Sequence, residues 1–391
     1  MKRILFVALG ATLLAAGCQK TEIINQVPGE SMSFTPAMSK LTKAVGTADA
    51  DQTDGIVNLR AQDFKVWAYK AYADAVNGDV AGKVYDEMEA LDVTYGESGS
   101  WTTTKDYYWP GTDKALDFFA VSTGHTWAAP AVTDEGGNVT TPAVDGVSVA
   151  ITGQGETVGD RKLVVSGYGV DASNPNDDLM VAEFVRQDQS MNEKKVSVHF
   201  KHALAKVQFR FTTNAGTDEI EVKSLVVEGL NTTGTLTVTE NGEVASNNGR
   251  VPVAMAWTDH GTPADFTDDK DENLKLEAPT TVTEGETTTV VNNDKEFATW
   301  LVLPQTIAEK TVTIAYDITS TTGTRSFEQT FALTRPAETD AEGNVVAGKE
   351  AFAEWKINQV VIYTINLSPN KITFDPSVEP WDEAENLTDQ N

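Results

Sequence analysis

Four histidines, His125, His199, His202 and His260, are the first residues of this 391-residue chain to weigh for proton transfer or metal binding. His199 and His202 lie three apart in a stretch that reads as a strand. Side chains at that spacing on a strand point to opposite faces, so the pair cannot chelate one ion. The segment Asp259 to Glu272 places Asp265, Thr267, Asp269 and Asp271 on alternate positions, a pattern able to offer oxygens to calcium. It lacks the glycine and the terminal bidentate glutamate of an EF-hand loop and reads as a solvated acidic loop. No Gly-rich phosphate loop, Gly-x-Ser-x-Gly turn or His-Glu-x-x-His motif occurs. No nucleophile–base pair or metal set can be named, so neither catalysis nor a cofactor is expected. Trp101, Tyr107, Tyr108 and Trp109 could stack on sugars, which gives an alternative reading as a surface glycan-binding lipoprotein. Packing beneath the Pro110-Gly111 turn is the plainer role for them.

Covalent chemistry falls to Cys18, the one cysteine in the chain. Lys2-Arg3 precedes an apolar run from Ile4 to Ala16. That run is shorter than the ~20 residues a membrane-spanning helix needs, and it has the form of an export signal. It ends in Leu14-Ala15-Ala16-Gly17-Cys18, which resembles a bacterial lipobox, although Ala15 stands where leucine is usual and Leu14 lies one place further back. Cleavage between Gly17 and Cys18 would make Cys18 the first mature residue and the carrier of the acyl chains. Several acyl chains on one residue hold a protein to a membrane far better than one. A single cysteine also rules out a disulfide within the chain.

The formal charge of −28 repels phosphates and so excludes nucleic acid as a partner. It suits a protein that must stay soluble in a crowded, exposed setting. The length suits two domains, each large enough for its own core. Strand signals dominate. Phe64-Lys65-Val66-Trp67-Ala68-Tyr69 is aromatic and β-branched, and Leu116 to Val121 is a continuous apolar run of the kind buried on both faces of a sheet. Val312, Ile314, Tyr316 and Ile318 alternate with polar or small residues, as do Val361, Tyr363, Ile365 and Leu367. Asn241-Gly242 after Leu236 and Val238 is the best hairpin signal. Val196, Val198, Phe200 and Leu204 share one parity, and Val207, Phe209 and Phe211 the other. The switch at Ala205-Lys206 marks a bulge or a strand that crosses between sheets.

The expected organisation is all-β: a signal peptide over 1–17, a tether over 18–31, β-sandwiches over 32–192 and 193–381, and a polar tail over 382–391. The first sandwich opens with a short strand over 32–39 that contains Phe34. Pro36 makes this an edge strand, because proline cannot donate to a ladder. A long polar stretch over 39–63 follows it, a favourable place for nicking.

Several blocks together resemble the fimbrillin family of Bacteroidales, the subunits of type V pili. They are Tyr107-Tyr108-Trp109-Pro110-Gly111 with Leu116-Asp117-Phe118-Phe119-Ala120, Asp178-Leu179-Met180-Val181-Ala182, Val196 to Val207, Leu303-Pro304-Gln305, and Lys371-Ile372-Thr373-Phe374 with Val378-Glu379-Pro380-Trp381. The resemblance implies two transthyretin-like sandwiches in tandem, export as a lipoprotein to the outer membrane and cell surface, and a role as a stalk or tip subunit of a fimbrium. It implies homo- or hetero-polymeric assembly with other subunits, and for a tip subunit, contact with host or bacterial surface ligands. In relatives a protease specific for Arg or Lys cuts after an early strand, and a strand from a neighbouring subunit fills the groove. Lys40, Lys43 and Arg60 are the candidate cut sites, with Thr42-Lys43-Ala44 matching the family's Thr-Arg-Ala pattern except for Lys in place of Arg. Ile372, Phe374, Val378 and Trp381 are the candidate residues of the donor strand.

Overall fold

The computed structural model describes residues 31–380, apart from 39–58, 74–79, 112, 129–131, 134–138, 141–145, 154–159, 174–176, 214–217, 246–247, 262, 278–279, 285–286, 292–293, 348–349 and 368–372. The signal segment, Cys18, Lys40, Lys43, Ile372 and Trp381 lie outside the described residues. Within them the architecture is β, as the alternating patterns predict, apart from a helical turn over 59–62 and a 3-10 turn at Asn192–Lys194.

The first sheet runs in the order Ser33–Met38, Lys195–His202, Met180–Ala182, Leu116–Ser122, Phe64–Lys70, Leu91–Tyr95 and Trp101–Thr102. Every residue of Leu116–Ser122 is buried, which is why that strand reads as an unbroken apolar run. Val66, Ala68, Phe118, Ala120, Val196 and Val198 pack on one face into a core of their own. Trp67, Tyr69, Phe119 and Val121 face a second core that continues into the C-terminal sheets. The sheet curls until its first strand approaches the segment after its last. Ser31 forms a bridge with Tyr108, and the Met32 N–H donates to the Tyr107 carbonyl at 2.7 Å. Ser33–Met38 is therefore the seam of the curled sheet.

The chain leaves this sheet at Ala203-Leu204. Lys195–His202 pairs within the first sheet, whereas Ala205–Thr213 pairs with Lys295–Val302 and Gln359–Leu367 in another. The parity switch at Ala205-Lys206 is that crossing. The boundary expected at 192/193 thus needs correction. The polar stretch before Lys195 is a partly exposed turn joining Phe184–Gln187 to Lys195–His202, two strands of the same sheet. The halves also interleave. Thr233–Glu240 and Val253–Thr258 from the later half pair with Lys162–Gly169 and Ser148–Thr152 from the earlier half in one sheet. A buried ion cluster ties this interleaved sheet to the first. Arg161 Nη1 lies 2.6 Å from Asp117 Oδ1, its Nε donates to Glu240 Oε1 at 2.6 Å, and Arg186 Nε reaches Asp117 Oδ1 at 2.7 Å.

Beyond the crossing, Lys295–Val302, Ala205–Thr213, Gln359–Leu367 and Thr373–Pro380 form one sheet. Pro263–Leu276, Glu219–Asn231, Thr311–Ser320 and Gly323–Ala332 form another. Phe209, Trp300 and Tyr363 of the former join Leu225, Ile314 and Phe266 of the latter in the second core, where the Phe266 and Trp300 rings meet edge-on at 5.5 Å.

Two local expectations are overturned here. The acidic stretch read as a solvated loop lies largely within the strand Pro263–Leu276, held by its ladder to Glu219–Asn231, where Lys275 is paired with Glu219 and Glu221. Asn241-Gly242 opens a long connection to Val253–Thr258 rather than a tight hairpin, because Arg250–Val251 turns aside to pair with Phe184–Gln187. The tight turn instead joins Thr311–Ser320 to Gly323–Ala332, where Ser320 pairs with Gly323.

Candidate functional site: the opening strand and its groove

Ser33–Met38 carries its apolar side chains on the core side. Phe34 is 8% exposed and Met38 7%, while Ser33 and Thr35 face solvent. Met32, just ahead of the strand, is buried in the same core. The strand runs parallel to Lys195–His202, with Phe34 opposite Val196, Pro36 opposite Val198 and Met38 opposite Phe200. It stands at the edge of the sheet, where the missing proline N–H is tolerated. Full burial of an apolar side chain contributes about 1.5–3 kcal/mol, so Met32, Phe34 and Met38 together account for something on the order of 5 kcal/mol of contact.

The aromatic cluster forms part of the floor beneath this strand. Phe118 meets Phe34 edge-on at 6.2 Å and Trp109 edge-on at 5.9 Å. Trp109 is 2% exposed, and its Nε1 donates to the Lys194 carbonyl at 3.0 Å. Tyr107 is buried, and Trp101 lies against Phe64 and Tyr95. Of the four aromatics only Tyr108 is exposed. A sugar cannot stack on a ring that the core already covers, so these residues do not make the platform considered from sequence.

Lifting out the opening strand would bare the outer backbone edge of Lys195–His202, together with the slots now filled by Met32, Phe34 and Met38. Both are costly to leave uncovered. Of the candidate cut sites, Arg60 alone lies among the described residues. It is exposed, but its guanidinium sits 4.8 Å from the centre of the Tyr95 ring and it follows the buried Leu59. A protease would have to peel that segment away to reach it.

The closing strand, Thr373–Pro380, is also an edge strand. It runs antiparallel to Gln359–Leu367, with Phe374 opposite Ile365 and Val378 opposite Val361. Val378 is 41% exposed, and Arg335 Nη1 donates to the Pro376 carbonyl at 2.6 Å.

His199 and His202 face opposite sides of their strand, as their spacing requires. His202 is buried with Nδ1 2.6 Å from Asp178 Oδ2, while His199 faces Glu183. His125 Nε2 lies 2.6 Å from the Gly169 carbonyl and 3.0 Å from Asp177 Oδ2. The Asp177 hydrogen bond raises the His125 pKa, and burial lowers that of His199. His260 is exposed. Among the described residues no group of three His, Cys, Asp or Glu side chains is placed to hold a metal. Sequence reasoning missed the Asp117–Arg161–Glu240 cluster, because in so acidic a chain no single carboxylate stands out.

A family model described as fimbrillin-like matches residues 42–381. Similar solved structures include a fimbrial protein from Bacteroides vulgatus, 17% identical, covering 90% of this chain and 100% of that one with a TM-score of 0.47. They also include the tip fimbrial protein Mfa3 from Porphyromonas gingivalis, 9% identical, covering 82% of this chain and 94% of that one with a TM-score of 0.29. No curated protein matches.

Proposed function

The chain belongs to the fimbrillin-like family, and we propose that it is a stalk or tip subunit of a surface fimbrium, assembled by strand exchange after proteolysis. In this reading Cys18 is acylated after cleavage behind Gly17 and holds the precursor at the outer membrane. The two sandwiches are transthyretin-like. A cut after Lys40 or Lys43 frees the opening strand, and a strand from another subunit takes its place. Arg60 is the poorest of the three sites because its side chain and its neighbour are docked.

One observation carries the reading: an edge strand, paired on one side of the sheet path, supplies buried residues to a core. Such a strand is removable without cutting a sheet in two, yet its loss leaves a groove that demands a replacement. A donor strand would satisfy the bared backbone and fill the slots with alternate side chains. Contacts of this head-to-tail kind do not close, so they generate a filament.

The test is assembly of a chain that starts at Ala44. Mixed with full-length protein it is expected to form oligomers visible by light scattering and in negative stain. Monomers from every truncation after Lys40, Lys43 and Arg60 would remove the stalk role. N-terminal sequencing of material sheared from cells would report lipidation and cleavage together.

A further inference from the structure

The sheet that interleaves the two halves ends on one side in Ser148–Thr152, and among the described residues no strand lies beyond it. In the larger sheets the other long edge strands carry a charge or a proline, devices that keep an edge from pairing with another chain. Pro36, Asp268, Glu296, Glu328 and Pro376 stand in five of them. Ser148-Val149-Ala150-Ile151-Thr152 has neither, and of those edges only Val253–Thr258, across the same sheet, shares the lack. The outward face of this sheet is equally bare. Ala150, Val164, Thr237 and Ala256 make its middle row, and Lys162 is the one charge among its outward positions. The chain as a whole has a formal charge of −28. The edge also exposes usable backbone. The Val147 N–H and C=O bond to Thr126 and Ala128, on the side away from Lys162–Gly169. These groups alternate sides along a strand, so Val149 and Ile151 present theirs outward as well. The side chains read the same in both directions: hydroxyl, β-branched aliphatic, alanine, β-branched aliphatic, hydroxyl.

We infer that Ser148–Thr152 is a self-association edge, which pairs antiparallel with the same strand of a second copy about a two-fold axis at Ala150. Val149 then exchanges backbone hydrogen bonds with Ile151 of the other copy, and Ser148 lies opposite its Thr152. Ala150 meets its own counterpart at a non-hydrogen-bonded position, about 4.5 Å between Cα atoms, where a small side chain fits. Val149 and Ile151 are only half-buried against the main core, and each gains cover from the other copy. Two chains this acidic repel, and they can approach where neither presents a carboxylate. An edge that matches itself closes after two copies and gives a dimer, not a filament. Val253–Thr258 has no such symmetry, and its Trp257 indole already donates to the Ala203 carbonyl at 2.8 Å. Ser148–Thr152 lies in a different sheet from Ser33–Met38 and Thr373–Pro380, so the inference stands apart from strand exchange.

Two experiments on the uncut full-length chain, which keeps its own opening strand, test this. Sedimentation is expected to show a monomer–dimer equilibrium. Ala150→Lys is expected to weaken it by at least about tenfold, because it sets two ammonium groups together at the axis. Ala150 is exposed, so the variant is expected to melt with the parent. A chain still monomeric at about 1 mM, or a dimer indifferent to Ala150→Lys, would overturn the inference. The second experiment follows disulfide formation under mild oxidation, with Cys18→Ser in every chain. Ala150→Cys is expected to form covalent dimers at least about tenfold faster than Thr152→Cys, because docking holds its two thiols together. In this register the two Thr152 positions stand about 13 Å apart, out of disulfide reach. Adding Ser148→Cys to Thr152→Cys is expected to restore the fast rate. Equal rates for Ala150→Cys and Thr152→Cys would overturn the register. Fast cross-linking between Ala150→Cys and Ala256→Cys chains would make Val253–Thr258 the partner strand and overturn the two-fold pairing.

Discussion

The opening and closing strands invite comparison because their backbones are held alike and their side chains are not. Each is a sheet edge with a ladder to one neighbour, parallel for Ser33–Met38 and antiparallel for Thr373–Pro380. At about 0.5–1.5 kcal/mol net per hydrogen bond, the ladders do not separate them strongly. The side chains do. Phe34 and Met38 are buried in the first core, together with Met32 ahead of the strand. In the closing strand Pro376 is buried, but Ser377 and Val378 are exposed. The opening strand completes a core, whereas two of the three side chains described in the closing strand, Ser377 and Val378, lie open to solvent.

The largest effect is expected from a third place, the ion cluster that ties the interleaved sheet to the sheet of the opening strand. Asp117 is fully buried and serves both Arg161, also fully buried, and Arg186. Asp117→Ala leaves two guanidiniums short of a carboxylate, and the expected loss is about 3–5 kcal/mol in urea unfolding. A single cooperative transition is expected to persist. Two transitions would mean that the ends of the molecule unfold independently and are not parts of one unit. A smaller effect tests the two strands directly. Phe34→Ala is expected to cost about 3 kcal/mol, the range for a buried phenylalanine at a site that can partly relax. Val378→Ala is expected to stay within about 0.5 kcal/mol. Equal losses would end the distinction between a strand that fills and a strand that rides.

Much of this contrast is legible in the sequence, and the rest is hidden for physical reasons. Pro36 marks an edge, Leu116 to Val121 marks a strand buried on both faces, and the parity switch at Ala205-Lys206 marks the crossing, because each is a local consequence of period-two geometry. What joins Ser33–Met38 to Lys195–His202, or Thr233–Glu240 to Lys162–Gly169, is long-range pairing, and no local pattern encodes it. The acidic strand Pro263–Leu276 is hidden for the same reason, since its partner strand rather than its own composition makes it a strand.

The smallest expected effect separates the groove from the junction by pH. His199 lies on the strand that carries the groove, paired with Ala37 on the face away from Val196, Val198 and Phe200, with Glu183, Lys201 and Arg250 around it. Burial pulls its pKa below the usual imidazole value. A histidine so depressed contributes stability that is present above about pH 6.5 and is lost as pH falls through its folded value. His125 lies where the first sheet meets the C-terminal region, in a cavity lined also by Asp171, Asp177 and Leu301. The hydrogen bond that His125 donates to Asp177 holds its pKa above the usual value. Its contribution has the opposite sign, complete below about pH 6.5 and lost as pH rises through the raised folded value. Mild acid should therefore loosen the groove while it keeps the junction tight. Imidazole proton shifts followed by NMR from pH 5 to pH 8 are expected to show His199 titrating below the ordinary range and His125 above it, with Asp177→Asn removing the rise at His125 alone. If both histidines titrate together, pH does not distinguish the two regions.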